Sequence, residues 1–154
     1  MPISLDDLHR FIVEAKEATY SAAKASQIPP TQADAPPLSY SREPWGYVDR
    51  FVGGQDFVGQ AVVSFQGKPV WAMNYHGFVL APQEDPHKLA EVLKASLKRV
   101  YHEERFLGDA LLTRGRYIYQ DTNEGDVRRF QGEERIYANG ELVYKLWYHG
   151  GLIG

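Results

Sequence analysis

The chain has no cysteine. That absence removes disulfides, thiolate nucleophiles and cysteine-based zinc sites together, and it fits a reducing compartment. Long apolar runs are missing too: nothing approaches the roughly 20 residues that a membrane-spanning helix needs. The N-terminus opens on Ser4, Asp6 and Asp7, where a secretory signal would be basic and then apolar. Strong charge of one sign is also lacking. The formal net charge is −3, too small to draw the chain towards nucleic acid or anionic lipid. These absences lead us to expect a cytoplasmic protein with neither a nucleic-acid nor a membrane partner.

The common catalytic and cofactor signatures are also missing. There is no Gly-x-Ser-x-Gly. The glycine run Gly53-Gly54 to Gly59 continues into Gln60-Ala61 and lacks the Lys-Ser/Thr of a phosphate-binding loop. His102-Glu103-Glu104 has no second histidine four residues after the first, as a zinc-protease helix requires. Asp121, Asn123 and Gly125 begin like a calcium loop, but Gly132 stands where the bidentate glutamate belongs. Tyr75-His76-Gly77 and Tyr148-His149-Gly150 end equivalent segments without a third ligand at fixed spacing. No metal, no cofactor and no catalytic residue is expected.

What the chain does contain is an internal repeat. Residues 57–80 and 130–153 align without a gap. They match at Phe57/Phe130, Gly59/Gly132, Gly67/Gly140, Val70/Val143, Tyr75/Tyr148 and His76/His149. The helical segments 8–20 and 89–101 also align, with Leu at one end and Tyr at the other. At 154 residues the chain fits one domain, 1–154, because neither half, about 4–80 and 86–153, has enough core alone.

Apolar residues at Leu5, Leu8, Phe11, Ile12 and Ala15 predict a helix from Ser4 to about Tyr20, with Ser4 as its cap. Residues 21–44 hold two Pro-Pro pairs and read as a long extended connection. Strands are predicted at 45–52, 57–65 and 70–76. A second helix starts at Pro86 and runs to about Glu104. Strands follow at 116–121, 127–137 and 141–149. The last two are joined by Asn139-Gly140, a strong hairpin signal. The expected fold is α+β: a single antiparallel sheet of six or seven strands, with two helices on one face, built as a duplicated helix-plus-three-strand unit.

Counting outward from two-residue turns at Gln66-Gly67 and Asn139-Gly140 assigns each side chain to a face. One face collects Phe57, Ala61, Val63, Val70, Phe130, Ile136 and Val143, aliphatic enough to lie under the helices. The same count puts Gly59 opposite Asn74, Gly132 opposite Trp147 and Glu134 opposite Lys145. The other face collects rings and polar groups: Trp71, Tyr75, Tyr144, Tyr148 and Tyr47, with Asp49, Gln60, Glu133 and Arg135. Such a mixture is what a small-molecule site is made of. It also suits a second core or a homodimer interface.

The segments LHRFIVEAKEATY, YVDRFVGGQDFVGQAVV, GKPVWAMNYHG and ERIYANGELVYKLWYHGG, in that order, resemble a bacterial domain family of unknown function that occurs alone or fused behind an XRE-type helix-turn-helix. The resemblance covers essentially the whole chain and implies a cytoplasmic, sensory or regulatory domain. It brings no catalytic residues. Where the family pattern has an acidic residue after Phe-x-Gly, this chain has Gln60 in the first copy and Glu133 in the second. The expected function is non-enzymatic small-molecule binding, or a regulatory interaction, through the aromatic face. The alternatives are an acid–base enzyme using a carboxylate or histidine there, or a structural homodimer.

Overall fold

The computed structural model describes residues 3–22 and 36–154. Most of the proline-rich connection expected at 21–44 lies outside the described residues. The elements in chain order are α1 (Leu5–Ala22), β1 (Leu38–Arg42), β2 (Trp45–Gly53), β3 (Phe57–Phe65) and β4 (Lys68–Val79), then α2 (Pro86–His102), β5 (Ala110–Arg114), β6 (Tyr117–Asp126), β7 (Arg129–Ala138) and β8 (Glu141–Leu152). The order is one helix and four strands, twice. Among the described residues no helix is long and apolar enough to cross a membrane.

The helix starts follow the expected chemistry. Asp7 N donates to Ser4 Oγ at 3.3 Å, which satisfies an amide that the first turn leaves open. Asp85 caps α2 by accepting from His87 N at 2.9 Å, and Pro86 stands where a missing N–H costs nothing.

The sheet is open, antiparallel and eight-stranded, in the order β1-β2-β3-β4-β8-β7-β6-β5. Sequence reading anticipated six or seven strands. The two it missed, β1 and β5, are the five-residue edge strands. β1 follows the prolines, and both carry mostly solvent-facing side chains, so neither leaves a clear alternation. The halves meet along one seam, where β4 pairs with β8.

The turns at Gln66-Gly67 and Asn139-Gly140 have positive φ at both residues: 51° and 78°, then 51° and 83°. That is the type I′ geometry whose twist suits a hairpin. Each hairpin also carries a bulge two residues further on. Val63 pairs with Trp71, leaving Val70 extra, and Ile136 pairs with Tyr144, leaving Val143 extra. One extra residue exchanges the faces of every side chain beyond it.

The bulges overturn the expected assignment of faces. Trp71, Tyr75, Tyr144 and Tyr148 do not lie opposite the aliphatic set. They share its face and are buried under the helices. Tyr47 and Asp49 join them, since Tyr47 pairs with Val63 and Asp49 with Ala61. Gly59 faces Tyr75 and Gly132 faces Tyr148, one step along from the expected Asn74 and Trp147. Glu134 faces Leu146, and the ion pair expected between Glu134 and Lys145 is made instead by Glu133, 3.5 Å from Lys145 Nζ. His76 and His149 are exposed on the open face. Of the four valine-type positions expected in the core, Val63, Ile136 and Val143 are buried, while Val70 is half-buried.

Candidate functional site

The buried face of α1 runs through Leu8, Phe11, Ile12, Ala15, Lys16 and Thr19. Five of these suit a core. Lys16 does not: it is only 3% exposed. Its ammonium has the Met73 thioether at 3.8 Å and the Tyr20 and Tyr47 rings about 6 Å away. Burial drives its pKa down, against the pull of Asp49 and Glu134.

The sheet beneath supplies three buried carboxylates, Asp49, Asp121 and Glu134. In the first half, Tyr75 lies across Gly59 and donates to Asp49 Oδ1 at 2.5 Å, while Tyr47 approaches Oδ2 at 3.4 Å. In the second half, Tyr148 lies across Gly132 and donates to Asp121 Oδ1 at 2.6 Å. The glycines are what make this reach available. A Cβ on Gly59 would sit 2.3 Å from the Tyr75 ring, and one on Gly132 would sit 2.5 Å from the Tyr148 ring.

Burial raises all three carboxyls. Asp49 is raised by desolvation, against hydrogen bonds from Tyr75 and the charge of Lys16. Asp121 is raised to about 6 by burial, against hydrogen bonds from Tyr148 and Asn123. Glu134 is raised to about 8, by burial first and then by repulsion from Asp121. The phenols of Tyr75 and Tyr148 are raised by burial and by the carboxylates beside them, so they remain donors.

Part of this cluster is unsatisfied. Among the described residues, the hydroxyls of Tyr119 and Tyr144 and the Oε2 of Glu134 are buried without a hydrogen-bond partner. Tyr119 lies close enough to Glu134 to pull its pKa down, yet the two do not meet in good geometry. Native interiors leave few such groups.

The cluster also breaks the internal symmetry. In the helix alignment Leu97 stands where Lys16 does, and in the strand alignment Ala61 stands where Glu134 does. One buried cation and one buried acid therefore lack a counterpart in the other half.

The residues expected to form one pocket fall on two faces. Tyr47, Asp49, Tyr75, Tyr144 and Tyr148 come together under the helices. Trp71 lies on the same face but does another job: it donates to the Val127 carbonyl at 3.0 Å and stacks on Phe130. Gln60, Glu133 and Arg135 are on the open face. There Gln60 donates to Asn74 at 2.9 Å, and Glu133 is paired with Arg135. Shallow hollows of about 660 and 810 Å³ flank His149 on that face. Among the described residues no group of three or more His, Asp or Glu could hold a metal ion.

Sequence reasoning missed Lys16, Asp121 and Glu134 as site residues. Each left a signal: Lys16 is a lysine within a helical apolar stripe, Asp121 repeats the Tyr-x-Asp of Asp49 in the other half, and Glu134 is an acid at an inward strand position.

No curated protein sequence and no solved structure gives a significant match to the chain. A family profile does, over residues 49–153. The matched span begins at Asp49, includes Asp121 and Glu134, and leaves Lys16 outside. The chain belongs to the family described as a domain of unknown function, DUF5680.

Proposed function

We propose that the protein is a small-molecule-binding regulatory domain whose recognition centre is the polar cluster between α1 and the sheet. Lys16, Asp49 and Glu134 are its titratable groups, and Tyr47, Tyr75, Tyr144 and Tyr148 are its walls. One observation carries this reading: among the described residues nothing bonds the buried Tyr119 and Tyr144 hydroxyls or Glu134 Oε2. Leaving such groups unpaired costs about 1–3 kcal/mol each, and a polar ligand would satisfy them. Gln60, Glu133 and Arg135 face the other way and are not part of this centre.

The lack of cysteine, and the resemblance to domains fused behind a helix-turn-helix, support a bacterial, cytoplasmic, regulatory setting. The repeated order of elements in 4–80 and 86–153 supports descent from a duplicated unit within one domain, 1–154. The test is a thermal-shift screen of metabolites against the full chain. A ligand at 100 times its dissociation constant adds about 2.7 kcal/mol, and K16M should lose that gain. A screen in which every stabilising compound acts equally on K16M would overturn the reading.

A second reading is acid–base catalysis at the same place. It is favoured by the mutual electrostatic influence of Glu134, raised to about 8, and Lys16, lowered by burial. Groups driven together in pKa from opposite sides are suited to proton transfer near neutral pH. Turnover of a bound compound by the wild type and not by E134Q would establish it. Unchanged compound recovered after prolonged incubation would exclude it.

A further inference from the structure

The open face of the sheet carries two ordered rows of cross-strand neighbours. One runs Arg50, Gln60, Asn74, His149, Gln131 and Glu124 from β2 to β6. The other, one step along the strands, runs Val52, Val58, His76, Trp147, Glu133 and Thr122. The first row begins with a cation and ends with an acid. The second begins apolar: Val52 is 54% exposed, Val58 51% and Trp147 46%. Phe78 packs against Trp147 at 5.1 Å, so an exposed aromatic group stands at the seam.

We infer that this face is the self-association surface of the protein, joined to a second copy by a twofold axis lying parallel to the strands over the β4–β8 seam. Such an axis reverses the order of strands and keeps each row at its own height. It therefore sets Arg50 against Glu124 of the second copy, Gln60 against Gln131, and Asn74 against His149. In the other row His76 meets Trp147. Val58 meets Glu133, whose charge is already matched by Arg135 and Lys145, and Val52 meets Thr122.

The charge pattern selects this occupant. A twofold contact must be complementary to itself, and the polar row is so when read in reverse, with opposite charges about five strand spacings apart. Packed sheets cross at about 30°, so the rows diverge towards their ends. Long side chains stand at those ends, where Arg50 can span the divergence. At the centre, where the sheets stay in register, the side chains are an imidazole and an indole. The inference is independent of the buried cluster, which lies on the other side of the sheet.

Sedimentation equilibrium of the full chain over a wide micromolar range tests it. The expected result is a species of twice the 17.5 kDa chain mass. R50E and E124R should each weaken association by about tenfold, and the two together should recover most of that loss, because the pair is restored with its signs exchanged. W147E should abolish the dimer. All these side chains are exposed, so an unchanged circular dichroism spectrum accompanies each variant. A monomer at every concentration, a dimer indifferent to W147E, or an R50E/E124R protein that associates more weakly than either parent would overturn the inference.

Discussion

Tyr75 donates to Asp49 Oδ1 at 2.5 Å, and the ring that carries its hydroxyl lies over a residue with no side chain, Gly59. The hydrogen bond and the missing Cβ form one device, repeated by Tyr148 and Asp121 over Gly132. A methyl at position 59 would meet the Tyr75 ring carbon and oxygen at 2.3 Å. G59A should therefore displace the ring, break the bond to Asp49 and cost about 1–3 kcal/mol by overpacking. Urea unfolding of G59A and Y75F checks this. Y75F should cost about 1–3 kcal/mol, and G59A should add little in the Y75F background, because the two changes act on one contact.

Lys16 and Glu134 predict an unusual pair of results. K16L alone leaves the buried carboxylates without their cation, and E134A alone leaves Lys16 with only Asp49 for compensation. Both single variants should be destabilised. K16L/E134A installs the residues found at the matching positions of the other half, Leu97 and Ala61. Replacing buried charges by apolar groups is often neutral or stabilising, by about 1–4 kcal/mol. The double variant should unfold at or above the wild-type denaturant midpoint, and on the proposed function it should also lose the stabilisation by a ligand.

Glu134 also predicts a pH dependence. Its folded pKa is raised from the ordinary 4.5 to about 8, so between those values the native state holds a proton that the unfolded chain has released. Stability must then fall as pH rises through that window. Lys16 acts in the opposite sense: its lowered folded pKa makes stability rise with pH between that value and the ordinary 10.5. Melting temperatures should decline from about pH 5 to pH 8, and E134Q should flatten the decline. Equal slopes in the two proteins would refute the assignment.

The bulges predict which deletions the fold tolerates. Val143 is the extra residue of β8, so removing it leaves Ile136 opposite Tyr144 and every later side chain on its present face. That protein should fold, weakened by a lost core valine, just as V143A should lose about 1–3 kcal/mol. Deleting Lys145 instead would turn Leu146 and Tyr148 outward. Circular dichroism and cooperative melting should report a folded ΔVal143 protein and no folded ΔLys145 protein.

The helices, the turns and six of the eight strands were legible because each rests on local chemistry: a Ser or Asp cap, Pro86, a helical stripe, and Asn-Gly or Gln-Gly between alternating arms. The edge strands were not, because a short strand facing solvent has no alternation to read. The pairing of faces was lost at Val70 and Val143. Nothing in Pro69-Val70-Trp71 or Leu142-Val143-Tyr144 marks an extra residue, although the richer apolar alternation of Trp71, Met73 and Tyr75 over Ala72, Asn74 and His76 points to the buried side. Tyr47, Tyr75, Tyr144 and Tyr148 were grouped together by alternation, and their separation from Gln60, Glu133 and Arg135 required the register. Lys16 and Glu134 influence each other electrostatically from different halves of the chain, a distance in sequence that no local pattern spans.

The placing of one buried cation and one buried acid on opposite halves has a consequence for descent. Neither half is free to drift alone at these positions. A lineage that loses the lysine at 16 is left with an uncompensated acid until 134 changes too, and the reverse order strands the cation. Related sequences should therefore vary jointly at 16 and 134, apolar with small or charged with charged. The mixed combinations should be scarce enough for a count over aligned relatives to detect.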